Sequence, residues 1–298
     1  MNDFFLKVGS QEVKITNPDR ILFPKSSISK WSMIQYYQRI ASFMIPHIKN
    51  RPISMQRFPN GIDGEGFYQK DASGYFPEWI KIFDIEKVDK TKVVHHVLCN
   101  NVQTLVYLAN QAVITPHVWL SKVNNIHCPD RLIFDLDPPS VKQFDEVRKS
   151  AKIFKSVLED LGLHPFVMTT GSKGLHVTVP IKPDTLFDDV RSFARDIAEL
   201  MVKQNPEILT LEMRKENRKG KIFADYLRNA WAQTGVAPYA IRAKKGAPIA
   251  TPLQWKEVNS QLSSQKYTIK NIFRRVSRIG DPWQDINAYA KSIKSIKL

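Results

Sequence analysis

The sequence predicts an α+β fold, in which helices and short strands mix without a regular order. Segments with apolar residues at every third or fourth position are interspersed with short predicted strands. These segments do not follow the strand–helix–strand repeat of a doubly wound parallel sheet. The chain has 298 residues, of which 43% are hydrophobic. That is enough for one large domain or two small ones with a real core.

The first part of the chain is expected to begin with a long helix at residues 29–48. Ser29 can cap this helix, and apolar side chains recur at helical spacing at Met33, Tyr37, Ile40 and Met44. Residues 50–80 are rich in glycine, proline and aromatic residues, which predicts loops and short strands. Residues 93–112 are predicted to form a mostly buried helix.

A short strand at residues 131–136 is predicted to open the second part of the chain. A helix follows, with an apolar stripe that ends at Gly162 and comprises Phe144, Val147, Ala151, Phe154, Leu158 and Leu161. Residues 164–170 and 175–181 are expected to form a hairpin around the turn GSKG. The next helix places four side chains inward, namely Val190, Phe193, Ile197 and Leu200.

Two further strands are predicted, at residues 221–227 and 239–243. No internal repeat or low-complexity linker interrupts the chain. We therefore interpret residues 1–298 as a single domain, with an N-terminal part at 1–115 and a catalytic core at 116–298.

The charge balance points to a polyanionic partner. Lysine and arginine number 44 against 29 aspartate and glutamate, a net charge of +15. This excess favours nucleic acid ahead of an anionic membrane. There is no run of about 18 apolar residues and no sign of a secretion signal, so we expect neither a membrane span nor export.

The two cysteines, Cys99 and Cys128, make no disulfide framework, and a reducing cytoplasm is expected. A zinc site is not favoured, because no standard ligand spacing is matched by His95, His96, Cys99, His127 and Cys128.

The segment RLIFDLDPP carries the clearest chemical signal. Side chains alternate along a strand, so Asp135 and Asp137 point to the same face. Two carboxylates in one cleft repel each other unless a cation lies between them. Oxygen ligands of this kind suit Mg²⁺ or Mn²⁺. The alternative is a pair of solvated aspartates at a strand end.

The turn TTGSKG at residues 169–174 has the composition of a phosphate-binding turn. Glycine lets the backbone approach an anion, and free N–H groups there can hold phosphate. In the following strand LHVTVP, His176 and Thr178 share the polar face. His176 is therefore a candidate phosphate ligand, against the alternative of a structural histidine.

A third acid, Asp225 in KIFADYLRN, could complete a two-metal site from a distant strand. Nearby positive charge comes from Arg228, Arg242 and Lys244. Arg242 and Lys244 are expected to share a strand face and to suit triphosphate contacts. The alternative is that these residues belong to a generally basic surface.

The order of DLD, SKGLHV and FADYLRN resembles the three motifs of the archaeo-eukaryotic primase superfamily. The resemblance is closer still to the polymerase domain of bacterial DNA ligase D, and it covers residues 15–285. The segments that carry it, in chain order, are NPDRILFP, GFYQKD, FDLDPP, TTGSKGLHV, DYLRN, APYAIRA and GDPW. It implies a primase-polymerase fold with mixed and antiparallel sheets flanked by helices.

The resemblance implies a template-dependent nucleotidyltransferase that fills gaps and extends ends in double-strand break repair by non-homologous end joining. It implies that two Mn²⁺ or Mg²⁺ ions are bound by Asp135, Asp137 and Asp225. It also implies a nucleotide site at Ser172, Lys173, His176, Arg228, Arg242 and Lys244. The sequence departs from the pattern of some family members at position 244, where arginine is common and is not equivalent to lysine.

The resemblance further implies a pocket for the 5′-phosphate of a DNA gap, formed by Asn17, Arg20 and Lys30. Many family members have lysine where Arg20 stands. Phe67 and Tyr68 match aromatic positions on a loop that stacks against bases, and Lys70 adds a backbone contact. Stacking tolerates any sequence, which suits an enzyme that meets arbitrary broken ends.

Three other functions remain open on the sequence. One is a primase that starts chains without a primer, since the same triad serves both reactions. Another is a non-catalytic module that binds DNA ends, although the presence of all three acids and the histidine disfavours it. The last is a DxD glycosyltransferase, which neither the charge nor the SKGLHV turn favours.

Partners implied by the family are DNA ends and gapped duplexes, nucleoside triphosphates, a Ku-like end binder and a DNA ligase. The family also implies a location in the cytoplasm at the nucleoid. Whether the chain acts alone or within a longer ligase stays open, as do metal choice, sugar preference and fidelity.

Overall fold

The computed structural model describes residues 2–72, 74–86 and 92–296 of the chain. The helices of this part are α1 (Lys30–Ile48), α2 (Val102–Asn110), α3 (Phe144–Asp160), α4 (Phe187–Gln204) and α5 (Ile272–Ile279). The strands are β1 (Phe4–Val8), β2 (Gln11–Ile15), β3 (Ile21–Phe23), β4 (Ile28–Ser29), β5 (Ile53–Arg57), β6 (Phe67–Gln69), β7 (Ile82–Glu86), β8 (Val93–Val97), β9 (Val113–Trp119), β10 (Arg131–Asp137), β11 (Phe166–Thr169), β12 (Leu175–Pro180), β13 (Leu209–Thr210), β14 (Ile222–Asp225), β15 (Thr234–Val236) and β16 (Pro252–Leu253).

A six-stranded sheet, in the order β13-β14-β10-β12-β11-β16, forms the centre of one half of the fold. Its pairs are antiparallel except for β13 with β14, which run parallel. The α+β prediction is therefore confirmed. One face of the sheet packs against α3 and α4, because Leu132, Phe134 and Leu136 alternate with the polar positions of β10 and lie in that core.

A four-stranded sheet, in the order β15-β9-β5-β6, lies in the other half. The core around it takes side chains from α1 and α2 and also from residues 236–250 and α5. Small two-stranded sheets pair β1 with β2, β3 with β4 and β7 with β8. Among the described residues, no helix is both long and apolar enough to cross a bilayer.

Several predicted elements are present as expected. Ser29 caps α1, its Oγ accepting a hydrogen bond from the N–H of Ser32 at 3.1 Å. Helix α3 ends before Gly162, whose φ of +73° is a conformation that favours glycine. The predicted hairpin is the antiparallel pair of β11 and β12. Val190 and Ile197 of α4 are buried, whereas Phe193 and Leu200 are only partly buried.

The helix predicted at residues 93–112 was wrong in its first half. Residues Val93–Val97 form β8, which pairs with β7 in an antiparallel hairpin. The helix starts only after Asn101, whose Oδ1 accepts a hydrogen bond from the N–H of Thr104 at 2.9 Å. A β-branched and histidine-rich segment thus pairs as a strand, and the capping asparagine sets the start of α2.

The strand predicted at residues 239–243 was also wrong. Tyr239 has a φ of +65°, which breaks an extended conformation. It is held there because Tyr36 donates its hydroxyl hydrogen to Tyr239 O at 2.7 Å, and the Tyr239 hydroxyl donates to Asp281 Oδ1 at 2.8 Å. Only an isolated bridge between Ile241 and Ile249 remains of the predicted pairing. The strand predicted at 221–227 is present but shorter, and it corresponds to β14, Ile222–Asp225.

Candidate active site

Three carboxylates meet at the exposed ends of two neighbouring strands. Asp135 and Asp137 lie on one face at the end of β10, as their spacing predicted. Strand β14 runs antiparallel to β10, and its register sets Asp225 directly opposite Asp135. Side chains of directly opposed residues point to the same face of a sheet. The fold therefore brings together all three acids that the sequence singled out.

Unequal surroundings give the three carboxyl groups different pKa shifts. Burial alone would raise the pKa of Asp135, but the nearby His176, Arg228 and Arg242 together hold it below its ordinary value. Burial and the charge of Asp135 raise the pKa of both Asp137 and Asp225. The site thus carries negative charge that the surrounding protein does not fully compensate.

Two arginines contact these carboxylates. Arg228 Nε lies 3.8 Å from Asp135 Oδ2 and 3.6 Å from Asp225 Oδ2. Arg218 Nη1 donates to Asp137 Oδ2 at 3.2 Å, and its other nitrogens are anchored on the carbonyl oxygens of Glu212 and Met213. Arg228 was predicted near the acids, whereas Arg218 was missed, because its residue type and position in a basic loop carry no distinguishing signal.

The predicted phosphate turn packs closely against the strand that carries the acids. A Cβ on Gly174 would lie 2.0 Å from Leu136 O, so only glycine fits there. The N–H groups of Ser172 and Gly174 donate to Thr170 Oγ1 at 3.3 and 3.2 Å. These two N–H groups are therefore engaged within the turn. Ser172 and Lys173 of this turn line the cavity beside the acids.

His176 lies between the turn and the acids. It is opposite Asp135 in the β10–β12 register, and its Nε2 is 3.5 Å from Asp135 Oδ2. Its side chain is buried, while Val177 on the opposite face lies in the core with α3 and α4. This agrees with the predicted alternation of β12 and leaves one edge of the imidazole facing the carboxylates.

A cavity of about 430 Å³ unites these groups. Besides the three acids, its wall includes Ser172, Lys173, His176, Arg218, Arg228 and Arg242. The sequence did not single out His117, which also lines the cavity and stacks edge-on against Tyr68, with ring centroids 5.5 Å apart. Burial, with Arg242 and Arg228 nearby, lowers the pKa of His117 well below its usual value.

Lys244 does not share a surface with Arg242, because residues 239–243 are not a strand. The N–H of Lys244 donates to Arg242 O at 2.7 Å in a tight turn. The side chain of Lys244 is exposed, and it is not among the residues of the cavity wall. The neighbouring Gly246 N–H donates to Ser26 Oγ at 3.1 Å, which places this turn beside the N-terminal part of the chain.

The predicted stacking aromatics lie on a strand rather than on a loop. Phe67 and Tyr68 belong to β6 at the edge of the four-stranded sheet, where they pair with Arg57 and Gln56 of β5. Both rings are exposed, and Tyr68 reaches the wall of the cavity. Lys70 follows directly and is exposed. The strand gives these side chains a firmer backbone than the predicted loop.

Asn17, Arg20 and Lys30 converge at the N-terminal end of α1. The N–H of Arg20 donates to Asn17 O at 3.1 Å, and the N–H of Lys30 donates to Arg20 O at 2.8 Å. Lys30 Nζ donates to the hydroxyl and carbonyl oxygens of Thr16. Burial and the charge of Arg20 lower the pKa of Lys30 to about 8. The fold thus assembles the predicted cluster, in which a buried ammonium is close to a second cation.

The donor chemistry of the site fits hard divalent cations, since three carboxylates share one cleft and the charge of Asp135 raises the pKa of the other two. Their present arrangement does not form a ready-made metal site. In the described ranges of the chain, no three His, Cys, Asp or Glu side chains are placed to hold one ion. Arg218 and Arg228 contact one oxygen atom of each carboxylate, namely Oδ2 of Asp137, of Asp135 and of Asp225.

Comparison of the sequence with known proteins finds relatives that are described as LigD. The model of the LigD primase-polymerase domain matches residues 29–283. The chain is 30% identical over 275 residues to the bifunctional non-homologous end joining protein LigD of Bacillus subtilis, covering 92% of this chain and 44% of that protein. It is 31% identical over 284 residues to the multifunctional LigD of Pseudomonas aeruginosa, covering 94% and 33%. The chain therefore spans less than half the length of these relatives.

A solved structure shows the same fold. The polymerase domain of Mycobacterium tuberculosis ligase D, determined in complex with DNA, superposes with a TM-score of 0.86 at 28% identity. The match covers 94% of this chain and 100% of that domain. The primase-polymerase fold class expected from the motifs is thereby confirmed.

Proposed function

This chain belongs to the LigD primase-polymerase domain family, and we propose that it is a template-dependent nucleotidyltransferase of double-strand break repair by non-homologous end joining. It fills gaps and extends ends, and it favours ribonucleotides. The observation that carries this proposal is the cavity of about 430 Å³ in which Asp135, Asp137 and Asp225 face Lys173 and Arg242. Acids beside cations are the arrangement that phosphoryl transfer to a hydroxyl requires.

Asp135, Asp137 and Asp225 would hold two Mn²⁺ or Mg²⁺ ions. When bound, such ions neutralise phosphate charge and make a primer 3′-hydroxyl more acidic. The protein's own contribution is positioning and electrostatic stabilisation. Lys173 and Arg242 stabilise the negative charge that builds on the phosphate oxygens of the incoming nucleotide, together with His176 from the buried side of the cavity. Ser172 and Arg228 complete the nucleotide contacts, and Lys244 adds long-range attraction from its exposed turn.

The DNA lies along the edge of the four-stranded sheet in this proposal. Phe67 and Tyr68 are exposed aromatic rings on β6, and Tyr68 borders the catalytic cavity. Exposed rings at this place suit stacking on a base of the template. Lys70 contacts the backbone beside them. The similarity to a domain solved in complex with DNA supports DNA as the partner.

Primer extension on a gapped duplex tests the proposal. The substrate has a short gap and a downstream 5′-phosphate, Mn²⁺ is supplied, and wild type is compared with Asp135→Ala. Templated addition that disappears in the variant would support the polymerase function, and the ratio of ribo- to deoxyribonucleotide use tests the sugar preference. Equal synthesis without any primer would instead favour a primase. Tight DNA binding without any synthesis would favour an end-binding module.

Lys30 is expected to make binding of the 5′-phosphate dependent on pH. The pKa of Lys30 is about 8 in the free protein, so its charge is present below that pH and is lost above it. The preference for a 5′-phosphorylated gap over an unphosphorylated one should therefore fall as pH rises from 7 to 9. Fluorescence anisotropy with both DNAs at each pH measures this preference.

Lys30→Met is the matched variant for this prediction, because it keeps an unbranched side chain of similar length and removes the charge. It should bind 5′-phosphorylated gaps about ten-fold more weakly and lose the pH dependence between 7 and 9. Its affinity for the unphosphorylated gap should stay within about two-fold of wild type. Equal weakening on both DNAs would contradict the assignment of Asn17, Arg20 and Lys30 as the phosphate pocket.

We also propose, from the relatives, which proteins act together with this chain and where. The proteins that resemble this chain are bifunctional or multifunctional end-joining proteins of more than twice its length. We therefore place the chain with a DNA ligase activity and a Ku-like end binder, in the cytoplasm at the nucleoid. Co-purification of a ligase or an end binder with the tagged chain from its host would test this association.

A further inference from the structure

A second basic cavity of about 330 Å³ lies at the C-terminal side of the fold. Four exposed cations line it, two from the segment after β16 and two from α5, namely Lys256, Lys266, Arg274 and Arg278. We call this cavity the C-terminal groove. None of these residues belongs to the catalytic cavity or to the N-terminal phosphate cluster described above.

The acid of the C-terminal groove is already neutralised. Arg275 Nε and Nη2 donate to the two carboxylate oxygens of Glu257 at 2.9 and 2.7 Å, and the Tyr267 hydroxyl donates to Glu257 Oε1 at 2.9 Å. These contacts hold the pKa of Glu257 below its ordinary value despite burial. The lining of the groove therefore carries an uncompensated charge from its four exposed cations.

Arg275 adds a buried cation to the lining of the groove. Its side chain is only 7% exposed, and its Nη1 has no hydrogen-bond partner in the described residues. A buried guanidinium nitrogen without a partner is costly, because it has lost water and gained nothing in return. The groove thus combines four exposed cations with a buried arginine that is paired with Glu257.

The groove adjoins the catalytic cavity through one short segment. Ser264 Oγ donates to Gly174 O at 3.0 Å, and Gln265 Nε2 donates to Ser172 O at 2.8 Å. Both acceptors lie in the turn that lines the catalytic cavity, and the next residue, Lys266, lines the groove. Residues 264–266 therefore link the turn beside the catalytic cavity to the groove.

We propose that the C-terminal groove binds backbone phosphates of the DNA substrate, as a site separate from the catalytic cavity and from the 5′-phosphate cluster. Phosphate diesters fit the chemistry, because flexible lysines and a helix-borne pair of arginines contact phosphate without reading bases. A nucleic-acid strand is the occupant that the net charge of +15 and the adjacent catalytic cavity favour. This inference rests on the proposed polymerase function for the identity of its ligand.

The double variant Arg274→Glu/Arg278→Glu tests the groove. Both side chains are exposed on α5, so their replacement should leave the fold intact, which thermal unfolding checks. Binding of a fluorescein-labelled gapped duplex is measured by anisotropy at several salt concentrations. We expect at least about ten-fold weaker binding at low salt, and a salt slope shallower by about 2, since each lost phosphate contact removes about 0.9.

Lys152→Glu/Lys203→Glu is the matched control with the same change in charge. These lysines are exposed on α3 and α4, which cover the sheet face opposite the carboxylates. The affinity of this control variant for the gapped duplex should differ from wild type by less than about three-fold, because only the net charge changes. Equal weakening by both double variants would overturn the proposal, because it would make the groove part of a uniformly basic surface.

Three further outcomes distinguish the groove proposal from the polymerase proposal. A raised KM for the nucleotide with unchanged DNA affinity would overturn the inference, since the groove would then serve the triphosphate or the pyrophosphate. Unchanged DNA affinity in a protein that extends primers would overturn the groove alone. Loss of DNA affinity in the groove variant of a protein that extends no primer would leave the groove as a DNA site and overturn the polymerase function.

Discussion

Asp137→Ala is expected to abolish nucleotide incorporation while leaving the fold and DNA binding close to wild type. Asp137 is at the end of β10, its side chain is 45% exposed, and burial and Asp135 raise its pKa. Its removal therefore relieves repulsion and creates no cavity in the core. The variant lacks a carboxylate that the proposed mechanism needs for metal binding, which raises the activation free energy by several kcal/mol. The incorporation rate should therefore fall by about a thousand-fold or more.

The measurement for Asp137→Ala is single-turnover extension of a primer on a gapped duplex, with anisotropy for DNA binding and thermal unfolding for stability. Asp196→Ala is the control, since Asp196 is an exposed carboxylate on α4, on the opposite side of the six-stranded sheet. It should keep full activity. If Asp137→Ala synthesises at more than a tenth of the wild-type rate, Asp137 is not a catalytic residue. If the variant loses both synthesis and its fold, the role of Asp137 is structural.

Gly174→Ala is expected to have the second largest effect, although it adds only one methyl group. The new Cβ would lie 2.0 Å from Leu136 O, a backbone atom between the two aspartates of β10. The turn and the strand must therefore move apart. Overpacking of this kind costs about 1–3 kcal/mol of unfolding free energy. A shift of about 1 Å between Lys173 and the aspartates is expected to lower the incorporation rate about a hundred-fold.

Gly74→Ala is the control for this change, because a Cβ there would meet no atom within 4 Å. It should match wild type in both unfolding and extension. Chemical denaturation gives the free energy of unfolding, and single-turnover extension gives the rate. A Gly174→Ala protein with wild-type activity would show that the turn does not need its close approach to β10.

The local chemistry of the site was predictable from the sequence because it depends on short-range rules. The period of two along a strand places Asp135 and Asp137 on one face, and the same rule separates His176 from Val177. The N-cap at Ser29 and the stop at Gly162 follow from intrinsic conformational preferences. Grouping Asp225 with the other acids depended on a resemblance to a family, since no rule of spacing relates positions so far apart.

The two wrongly predicted elements differ from the sequence prediction because of contacts that short-range rules do not describe. Residues 93–112 contain apolar side chains that suit a buried helix, yet pairing with β7 made the first five a strand. Residues 239–243 alternate well enough for a strand, yet Tyr36 and Asp281 hold Tyr239 at a positive φ. Pairing with the preceding strand overrode the helical preference in the first case, and contacts from distant parts of the chain overrode the extended preference in the second.

The sequence by itself determined the class of fold, the net charge of +15 and the paired carboxylates, because composition and periodicity act within a few residues. Only the tertiary structure decided that Arg218 contacts Asp137 across 81 positions and that His117 faces the cavity. It also decided that Arg242 faces the acids while Lys244 does not. The physical reason is that such contacts arise from strand order and packing, which bring together side chains whose separation along the chain carries no information about their distance.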